Sequence, residues 1–121
     1  MPARVKTVAV VEDDLSMQKG IERLLTAHGF TAELYTSAED FLKQASASQA
    51  SCVLVDIHLP GISGIDLRRQ LSRSGSTIAV IFMTAVDDED TEREALATGC
   101  VAYLHKPFPA RLLIDALNQA A

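Results

Sequence analysis

Five segments with the pattern of β-strands alternate with five segments of helical periodicity, and this alternation constrains the fold more than any other feature. The first strand segment is a Val-rich apolar run too short for a helix, the second alternates as a short strand, and the fourth is the most hydrophobic. The strand segments are Val5–Val11, Thr31–Tyr35, Cys52–Val55, Ile78–Met83 and Val101–His105. Because a helix follows each strand, the chain is predicted to form a doubly wound α/β domain with a parallel sheet between two helical layers.

Capping signals predict where several of the helices begin and end. Ser37 followed by Asp40 resembles a capping box at the start of the second helix. Asp87 is predicted to open the fourth helix, where five acids among the first six residues suit the positive end of a helix macrodipole. The first, third and fourth helices are predicted to end at Gly29, Gly75 and Gly99. The last helix is predicted over Ala110–Gln119.

Composition narrows the class of protein. A chain of 121 residues is predicted to form one domain over residues 1–121, with enough length for an ordinary core. It has neither an apolar leader nor an apolar run of about 18 residues, so a cytoplasmic location without membrane contact is predicted. A net charge of −5 argues against direct binding to nucleic acid, and Arg68, Arg69 and Arg73 are interpreted as a solvated helix face.

The cysteines and histidines do not have the spacing of a metal site. Cys52 and Cys100 lie beside apolar residues and are predicted to be buried and reduced, with a disulfide as the alternative. The spacing of His28, His58 and His105 matches no structural zinc motif, either with each other or with the cysteines. A structural zinc site is therefore not expected.

Polar side chains stand at the ends of four of the predicted strands. Glu12–Asp14 follows the first strand, Asp56 the third, Thr84 the fourth and Lys106 the fifth. Each one alone is common as a loop residue, a helix cap or a surface charge. Together they occupy the edge where a doubly wound sheet places its functional site, so they predict a site there.

The residue types at this edge indicate phosphoryl chemistry. Clustered carboxylates repel one another and favour a divalent cation, and an all-oxygen ligand set suits Mg²⁺. Next to such a cation, Asp56 can act as a carboxylate nucleophile and form an aspartyl phosphate. Lys106 would neutralise the phosphoryl oxygens, and the Thr84 hydroxyl would donate a hydrogen bond to one of them.

Four segments together resemble the receiver domain of two-component response regulators. They are VVEDD at 10–14, VLVDIHLPGISG at 53–64, VIFMTA at 80–85 and AYLHKPF at 102–108. The resemblance runs from about Val5 to Gln119, and the order and separation of the segments are highly specific. It implies a flavodoxin-like (βα)5 fold with a five-stranded parallel sheet in the order 2-1-3-4-5.

The resemblance implies a role for each acid of the site. Asp56 matches the phospho-acceptor, and Glu12 and Asp13 match the family's acidic pair, with Asp13 as the direct metal ligand. Asp14 competes for that role on proximity alone, but the family's pair directly follows the last valine of the first strand. The main-chain carbonyl of His58 would complete the protein ligands of Mg²⁺, for which Mn²⁺ can substitute.

The resemblance also implies a switch. Thr84 and Lys106 match the family's hydroxyl and lysine, and the Lys106–Pro107 peptide bond is implied to be cis, which would aim the lysine into the site. Tyr103 matches the switch aromatic, although a half-buried strand tyrosine without that role is the alternative. On phosphorylation Thr84 would move toward the phosphoryl group and Tyr103 would turn inward. The face formed by the fourth helix, fifth strand and fifth helix would then change its partner preference.

The implied function is that of a phospho-acceptor signalling domain. It would take a phosphoryl group from a sensor histidine kinase or a phosphotransfer domain onto Asp56, and undergo autodephosphorylation, without being a turnover enzyme. The kinase would contact the first helix around Met17–Leu24 and the loops near Asp56. Phosphorylation would favour a homodimer through the face formed by the fourth helix, fifth strand and fifth helix. HLPGISG and KPF loosely resemble receivers joined to helix-turn-helix transcription regulators, so a separate output domain and a single-domain regulator both remain open.

The sequence departs from the family pattern at three positions. Glu12 replaces the commoner Asp, so the metal would be held through water on that side. His58 is unusual two residues after the acceptor and borders the route of an attacking water, which predicts a modulating role in dephosphorylation. Cys100 stands where Ala is frequent, which is interpreted as a packing variation.

Three other functions are alternatives to this one. A phosphatase of the haloacid-dehalogenase type would need a second Asp where His58 stands, and its nucleophile would follow the first strand. A flavodoxin-like cofactor binder would need a glycine- and hydroxyl-rich phosphate loop where Glu12–Asp14 stands. A degenerate receiver that works as a phosphorylation-independent binding module is the third alternative, and no residue argues for it.

Overall fold

Strands and helices alternate along residues 7–120, the part of the chain that a computed structural model describes. The strands are β1 (Thr7–Val11), β2 (Thr31–Tyr35), β3 (Cys52–Asp56), β4 (Ala79–Thr84) and β5 (Ala102–His105). The helices are α1 (Leu15–Ala27), α2 (Ala38–Gln44), α3 (Gly64–Arg73), α4 (Glu89–Ala97) and α5 (Ala110–Ala120). The predicted first strand began at Val5, and its first two residues lie outside the described part.

The strands form one parallel sheet in the order β2-β1-β3-β4-β5, which confirms the predicted fold class. At the carboxyl edge Val11 is level with Tyr35 in β2 and with Val55 in β3. Asp56 is level with Met83 in β4. The chain reverses its direction of winding between β1 and β3, and such a switch point opens a crevice at the carboxyl ends of the strands.

The core has two layers because successive side chains of a strand point to opposite faces of the sheet. In β3, Val53 and Val55 belong to one apolar cluster, and Cys52 and Leu54 belong to the other. The first cluster is completed by α2, α3 and α4 through Ala38, Phe41, Ile65, Leu67, Leu71 and Ala95. The second is completed by α1 and α5 through Ile21, Leu25, Leu113, Ala116 and Leu117. Helices therefore cover both faces of the sheet, as predicted.

Most predicted boundaries lie within a residue of the observed ones, but the start of the fourth helix was assigned to the wrong acid. Asp88, not Asp87, is the N-cap of α4, and its carboxylate accepts hydrogen bonds from Asp90 N at 3.1 Å and Thr91 Oγ1 at 2.8 Å. Asp87 instead lies with Oδ1 3.9 Å from Nε2 of His105. Neighbouring acids have the same capping chemistry, so only the backbone conformation decides which of them caps the helix.

The other capping predictions hold in part. Asp40 N donates to Ser37 Oγ at 3.1 Å, which is the first half of the predicted capping box. The Asp40 carboxylate does not return this bond within residues 7–120, and it accepts from Thr36 Oγ1 at 3.4 Å instead. The predicted ends of α1, α3 and α4 are confirmed by three glycines with positive φ, each two residues beyond its helix: Gly29, Gly75 and Gly99.

The two cysteines differ in burial. Cys52 is fully buried in β3, and burial raises the pKa of its thiol to about 12. Cys100 is only partly buried, which corrects the prediction that both are buried. Within the described residues both thiols are free of disulfide bonds. No helix among residues 7–120 is long and apolar enough to cross a membrane.

Candidate functional site

The carboxyl edge of the sheet brings together residues that are far apart in the sequence. Glu12 follows β1 and is 1% exposed, Asp56 ends β3 and is 7% exposed, and Thr84 ends β4 and is fully buried. Lys106 follows β5, and its side chain is 15% exposed. Burying charged groups is costly unless they are paired, so their pairing determines what the site can do.

Lys106 bridges two of the carboxylates. Its ammonium Nζ lies 2.5 Å from Glu12 Oε1 and 2.5 Å from Asp56 Oδ2. Burial alone would lower the pKa of Lys106, but the hydrogen bonds to Asp56 and Glu12 outweigh it and raise that pKa. Burial is also the main reason that the pKa of Glu12 is raised, and the hydrogen bond from Lys106 offsets it only partly. The lysine thus remains a cation between two acids.

The acids form a group that fits a hard divalent cation. Glu12, Asp13 and Asp56 each offer a carboxylate oxygen, and these oxygens lie within 4.8 Å of one another. Oxygen donors at this separation suit Mg²⁺ or Mn²⁺. Asp14 is not in this group, because its Oδ1 accepts from Met17 N at 3.0 Å and caps α1.

The main chain of His58 orients the acceptor candidate. Its N–H donates to Asp56 Oδ1 at 2.8 Å, so one oxygen of Asp56 is held by the backbone and the other by Lys106. The His58 side chain is exposed to solvent. The peptide bond between Lys106 and Pro107 is cis.

Thr84 ends the strand next to β3, but its hydroxyl is bonded elsewhere. Its Oγ1 accepts from Val86 N at 3.0 Å and lies 3.4 Å from Val86 O. Both partners belong to the loop after β4. Within the described residues the hydroxyl therefore has a local role, and it is not part of the bridge between Lys106 and the acids.

Tyr103 lies on β5 beside the acidic start of α4. Its hydroxyl oxygen is enclosed and has no hydrogen-bond partner among residues 7–120. Its ring packs edge-on against His105, with ring centroids 5.2 Å apart and planes at 74°. Burial raises the pKa of Tyr103, and the charges of Glu92, Asp88 and Asp87 raise it further.

Sequence reasoning missed Gln18, a buried polar residue of α1. Its side-chain Nε2 donates to the carbonyl oxygen of Glu12 at 3.3 Å and to that of Tyr35 at 3.0 Å. A signal was present, since Gln18 precedes Ile21 by three residues and Leu25 by seven, and so shares their inward face.

Glu39 in α2 was also missed, and it holds the loop that follows the acceptor strand. Its Oε2 accepts from Ile62 N at 3.2 Å. A Cβ on Gly61, which has φ of +76°, would stand 2.2 Å from that same oxygen. Glycine is therefore needed at position 61 for two reasons: it allows the positive φ of the turn, and it leaves room for the Glu39 carboxylate. No local pattern predicts this contact, because it joins residues 23 positions apart.

A groove of about 650 Å³ lies between α1 and the loop after β5. One wall is formed by apolar residues of α1, including Met17 and Leu24, and the other by Pro107 and Phe108. Lys106 also lines the groove, so the groove reaches the acid–lysine cluster.

A family model described as the response regulator receiver domain matches residues 8–118. The chain belongs to this family. Its members are phospho-acceptor signalling domains rather than turnover enzymes, and this chain is a receiver domain of that kind.

The relatives of this receiver domain are longer proteins. Nodulation protein W of Bradyrhizobium diazoefficiens is 36% identical over 113 residues, which are 93% of this chain and 50% of that protein. The transcriptional regulatory protein FixJ of Azorhizobium caulinodans is 34% identical over 111 residues, which are 92% of this chain and 53% of that protein. The chain thus spans about half the length of the curated relatives it matches.

Solved receiver structures have the same fold. The crystal structure of FixJ-N has a TM-score of 0.90 at 30% identity, and the match covers 98% of this chain and 94% of that one. The response regulator StyR has a TM-score of 0.88 at 36% identity, with 96% of this chain and 59% of that chain covered.

Proposed function

We propose that this receiver domain accepts a phosphoryl group on Asp56 from the phosphohistidine of a sensor kinase or a phosphotransfer domain. The observation that carries the proposal is the position of the Asp56 carboxylate, which lies at the switch point of the sheet in contact with Lys106. Two further acids, Glu12 and Asp13, stand beside it.

The transfer is a direct displacement at phosphorus. A carboxylate oxygen of Asp56 forms a bond to phosphorus while the P–N bond of the donor breaks, and the donor histidine keeps the electron pair and takes up a proton. The N–H of His58 keeps the carboxylate oriented during this step. Lys106 releases Asp56 and pairs with a phosphoryl oxygen.

The acidic cluster gives the reaction its dependence on a divalent cation. Glu12, Asp13, Asp56 and the main-chain carbonyl of His58 would hold Mg²⁺, with Mn²⁺ as a substitute. When bound, the cation supplies positive charge that offsets the phosphoryl oxygens. The protein contributes the three carboxylates, and the ammonium of Lys106 keeps two of them together.

Phosphorylation is read out through a two-state switch. The Thr84 hydroxyl leaves its local bond to Val86 and donates to a phosphoryl oxygen, so the loop before α4 shifts. The enclosed Tyr103 hydroxyl supports an inward position of that ring as one of the two states. The shift changes the surface of α4, β5 and α5. Leu96 and Leu112 are exposed on these helices, which supports a homodimer through this face.

The groove between α1 and the loop after β5 is the proposed contact for the kinase. Its walls are mainly apolar, and Leu15 and Val86, which adjoin its lining residues in the sequence, are 62% and 46% exposed. Because Lys106 lines the groove, a partner seated there would present its phosphohistidine close to Asp56. The output that this domain controls is proposed to be transcription, in line with relatives such as FixJ.

The deciding experiment is phosphorylation by acetyl phosphate with Mg²⁺, followed by intact mass. We expect one phosphoryl adduct on the wild type, which is lost in Asp56→Asn and in the presence of a chelator. The Asp56→Asn variant is a matched control, since it keeps the shape of the side chain and removes the charge. If no adduct forms under conditions in which another receiver reacts, the domain is either a phosphorylation-independent binding module or a receiver that accepts phosphate only from its own kinase.

A further inference from the structure

Two of the three acids of the site, Glu12 and Asp13, project from a short loop, Glu12–Asp14, which we call the acidic loop. It starts at the end of β1, where Glu12 N donates to the carbonyl oxygen of Tyr35 in β2 at 3.0 Å. It ends at α1, where Gln18 N donates to Asp14 O at 2.9 Å. The loop is therefore tied to the fold at both ends.

The side chain of Gln18 adds a third tie, at the first peptide unit of the loop. Its amide nitrogen donates one hydrogen bond to Glu12 O and another to Tyr35 O, at 3.3 and 3.0 Å. Both partners are carbonyl oxygens, so only the NH₂ end of the amide can face them. Gln18 is 4% exposed, and a buried amide is tolerated only where such bonds are made.

The bond to Glu12 O acts directly on the ligand set. That carbonyl belongs to the peptide unit between Glu12 and Asp13, and peptide units are planar. Holding the oxygen therefore restrains the peptide plane that joins the two residues, and with it the directions in which both side chains leave the main chain. Without this tie, repulsion among the three carboxylates would move the acidic loop away from Asp56.

We propose that Gln18 is a positioning residue that sets the affinity of the site for its divalent cation. The inference rests on the proposed function, because it assumes that Glu12, Asp13 and Asp56 hold the cation. Gln18 itself contributes no ligand. It acts through the main chain of the acidic loop, and residues that orient metal ligands in this way typically change metal affinity by about 10–100-fold.

The test is the substitution Gln18→Met, which keeps an unbranched side chain of similar length but cannot donate. Mg²⁺ binding is measured by isothermal titration calorimetry at a temperature where circular dichroism shows the protein to be folded. We expect the dissociation constant to rise about 10-fold. Phosphorylation by acetyl phosphate at saturating Mg²⁺ should approach the wild-type rate, because Asp56 and Lys106 are unchanged.

Ile21→Val is the matched control. Ile21 is 4% exposed on the same face of α1, so the substitution removes packing next to Gln18 without touching the acidic loop. We expect it to lower thermal stability and leave the Mg²⁺ dissociation constant unchanged. A second variant, Gln18→Asn, keeps the amide but is one methylene too short to reach both carbonyls, and we expect an intermediate dissociation constant.

The outcomes separate this inference from the proposed function. If the wild type binds Mg²⁺ and Gln18→Met binds it equally well, the inference is wrong and the proposed function stands. If the wild type itself neither binds Mg²⁺ nor accepts phosphate, the proposed function has failed. If both Gln18 variants fail to fold, or if Ile21→Val weakens binding as much, Gln18 serves only the stability of the core, and the inference is overturned.

Discussion

Lys106→Met tests whether the lysine stabilises the fold by neutralising buried acids. The substitution keeps most of the unbranched side chain and removes the ammonium that lies 2.5 Å from both Glu12 and Asp56. The two carboxylates left behind are 1% and 10% exposed at the side chain, so they would have little access to water.

The size of the effect follows from this burial. Removing one partner of a buried ion pair costs about 3–5 kcal/mol, because the remaining charge is uncompensated. Lys106 is 15% exposed and its site lies at the open edge of the sheet, so water can enter and reduce the loss. We therefore expect the free energy of unfolding to fall by about 2–3 kcal/mol, a large part of the stability of an ordinary domain.

Urea unfolding followed by far-UV circular dichroism measures this loss, once in EDTA and once in Mg²⁺. In Mg²⁺ we expect the difference from wild type to shrink, since ligand binding to the folded state stabilises it and the variant has more uncompensated negative charge. Lys19→Met is the control, because the one salt bridge of Lys19 among residues 7–120 is an exposed one to Glu22 at 3.5 Å. It should leave the stability unchanged.

A Lys106→Met protein that is as stable as the wild type in EDTA would contradict this prediction. Such a result would mean that water or a rearranged main chain solvates Glu12 and Asp56 without the ammonium. A loss that Mg²⁺ fails to reduce would contradict the second half of the reasoning, namely that the cation and the lysine neutralise the same acids.

Three further predictions concern the surroundings of the site. In Gly64→Ala the new Cβ would lie 2.6 Å from the Asp56 carbonyl oxygen. We therefore expect the free energy of unfolding, measured in urea, to fall by about 1–3 kcal/mol. Gly20→Ala is the control, because its Cβ would have open space around it, and it should not destabilise the fold. Burial alone would raise the pKa of Glu33, but hydrogen bonds led by that from the Ser48 hydroxyl outweigh it and hold the pKa below its ordinary value of 4.5. Ionised Glu33 therefore stabilises the fold at neutral pH. We expect the free energy of unfolding of the wild type to exceed that of Glu33→Gln by about 0.5–1 kcal/mol for this partly exposed group, and this difference should vanish as the pH falls through the lowered pKa. A difference that grows in acid would contradict this. On the hypothesis that the exposed imidazole shields the acceptor from water, we expect His58→Ala to hydrolyse its aspartyl phosphate about threefold faster in a radiolabel or mass assay, and an unchanged rate would exclude the modulating role.

The fold was predictable because its information is local and periodic. Apolar runs such as Cys52–Val55 and Ile78–Met83, each followed by helical spacing, are sufficient to indicate a doubly wound sheet. The edge that carries the site followed from the fold, since parallel strands end at one edge. Asp56 and Lys106 could therefore be placed together although 50 residues separate them.

Choices between neighbouring residues of the same type were less accessible. Asp87 and Asp88 have equal capping chemistry, and the prediction chose the wrong one. Asp13 and Asp14 were separable only through the family resemblance, until the structure placed Asp14 as the cap of α1 and Asp13 beside Asp56. Adjacent side chains leave the main chain in different directions, and only the backbone conformation decides which one faces the site.

The order of strands and helices, and the chemistry collected at one edge of the sheet, follow from local residue types, because periodicity and strand ends depend on neighbouring residues. Which polar residues support that chemistry depends on how the helices and strands pack. Gln18 bonds a main-chain carbonyl 17 residues away, and Glu39 bonds a main-chain N–H 23 residues away. These bonds depend on how α1 and α2 pack against the sheet. Hydrogen bonds of this kind have no period along the chain, so they become visible only once the elements are packed.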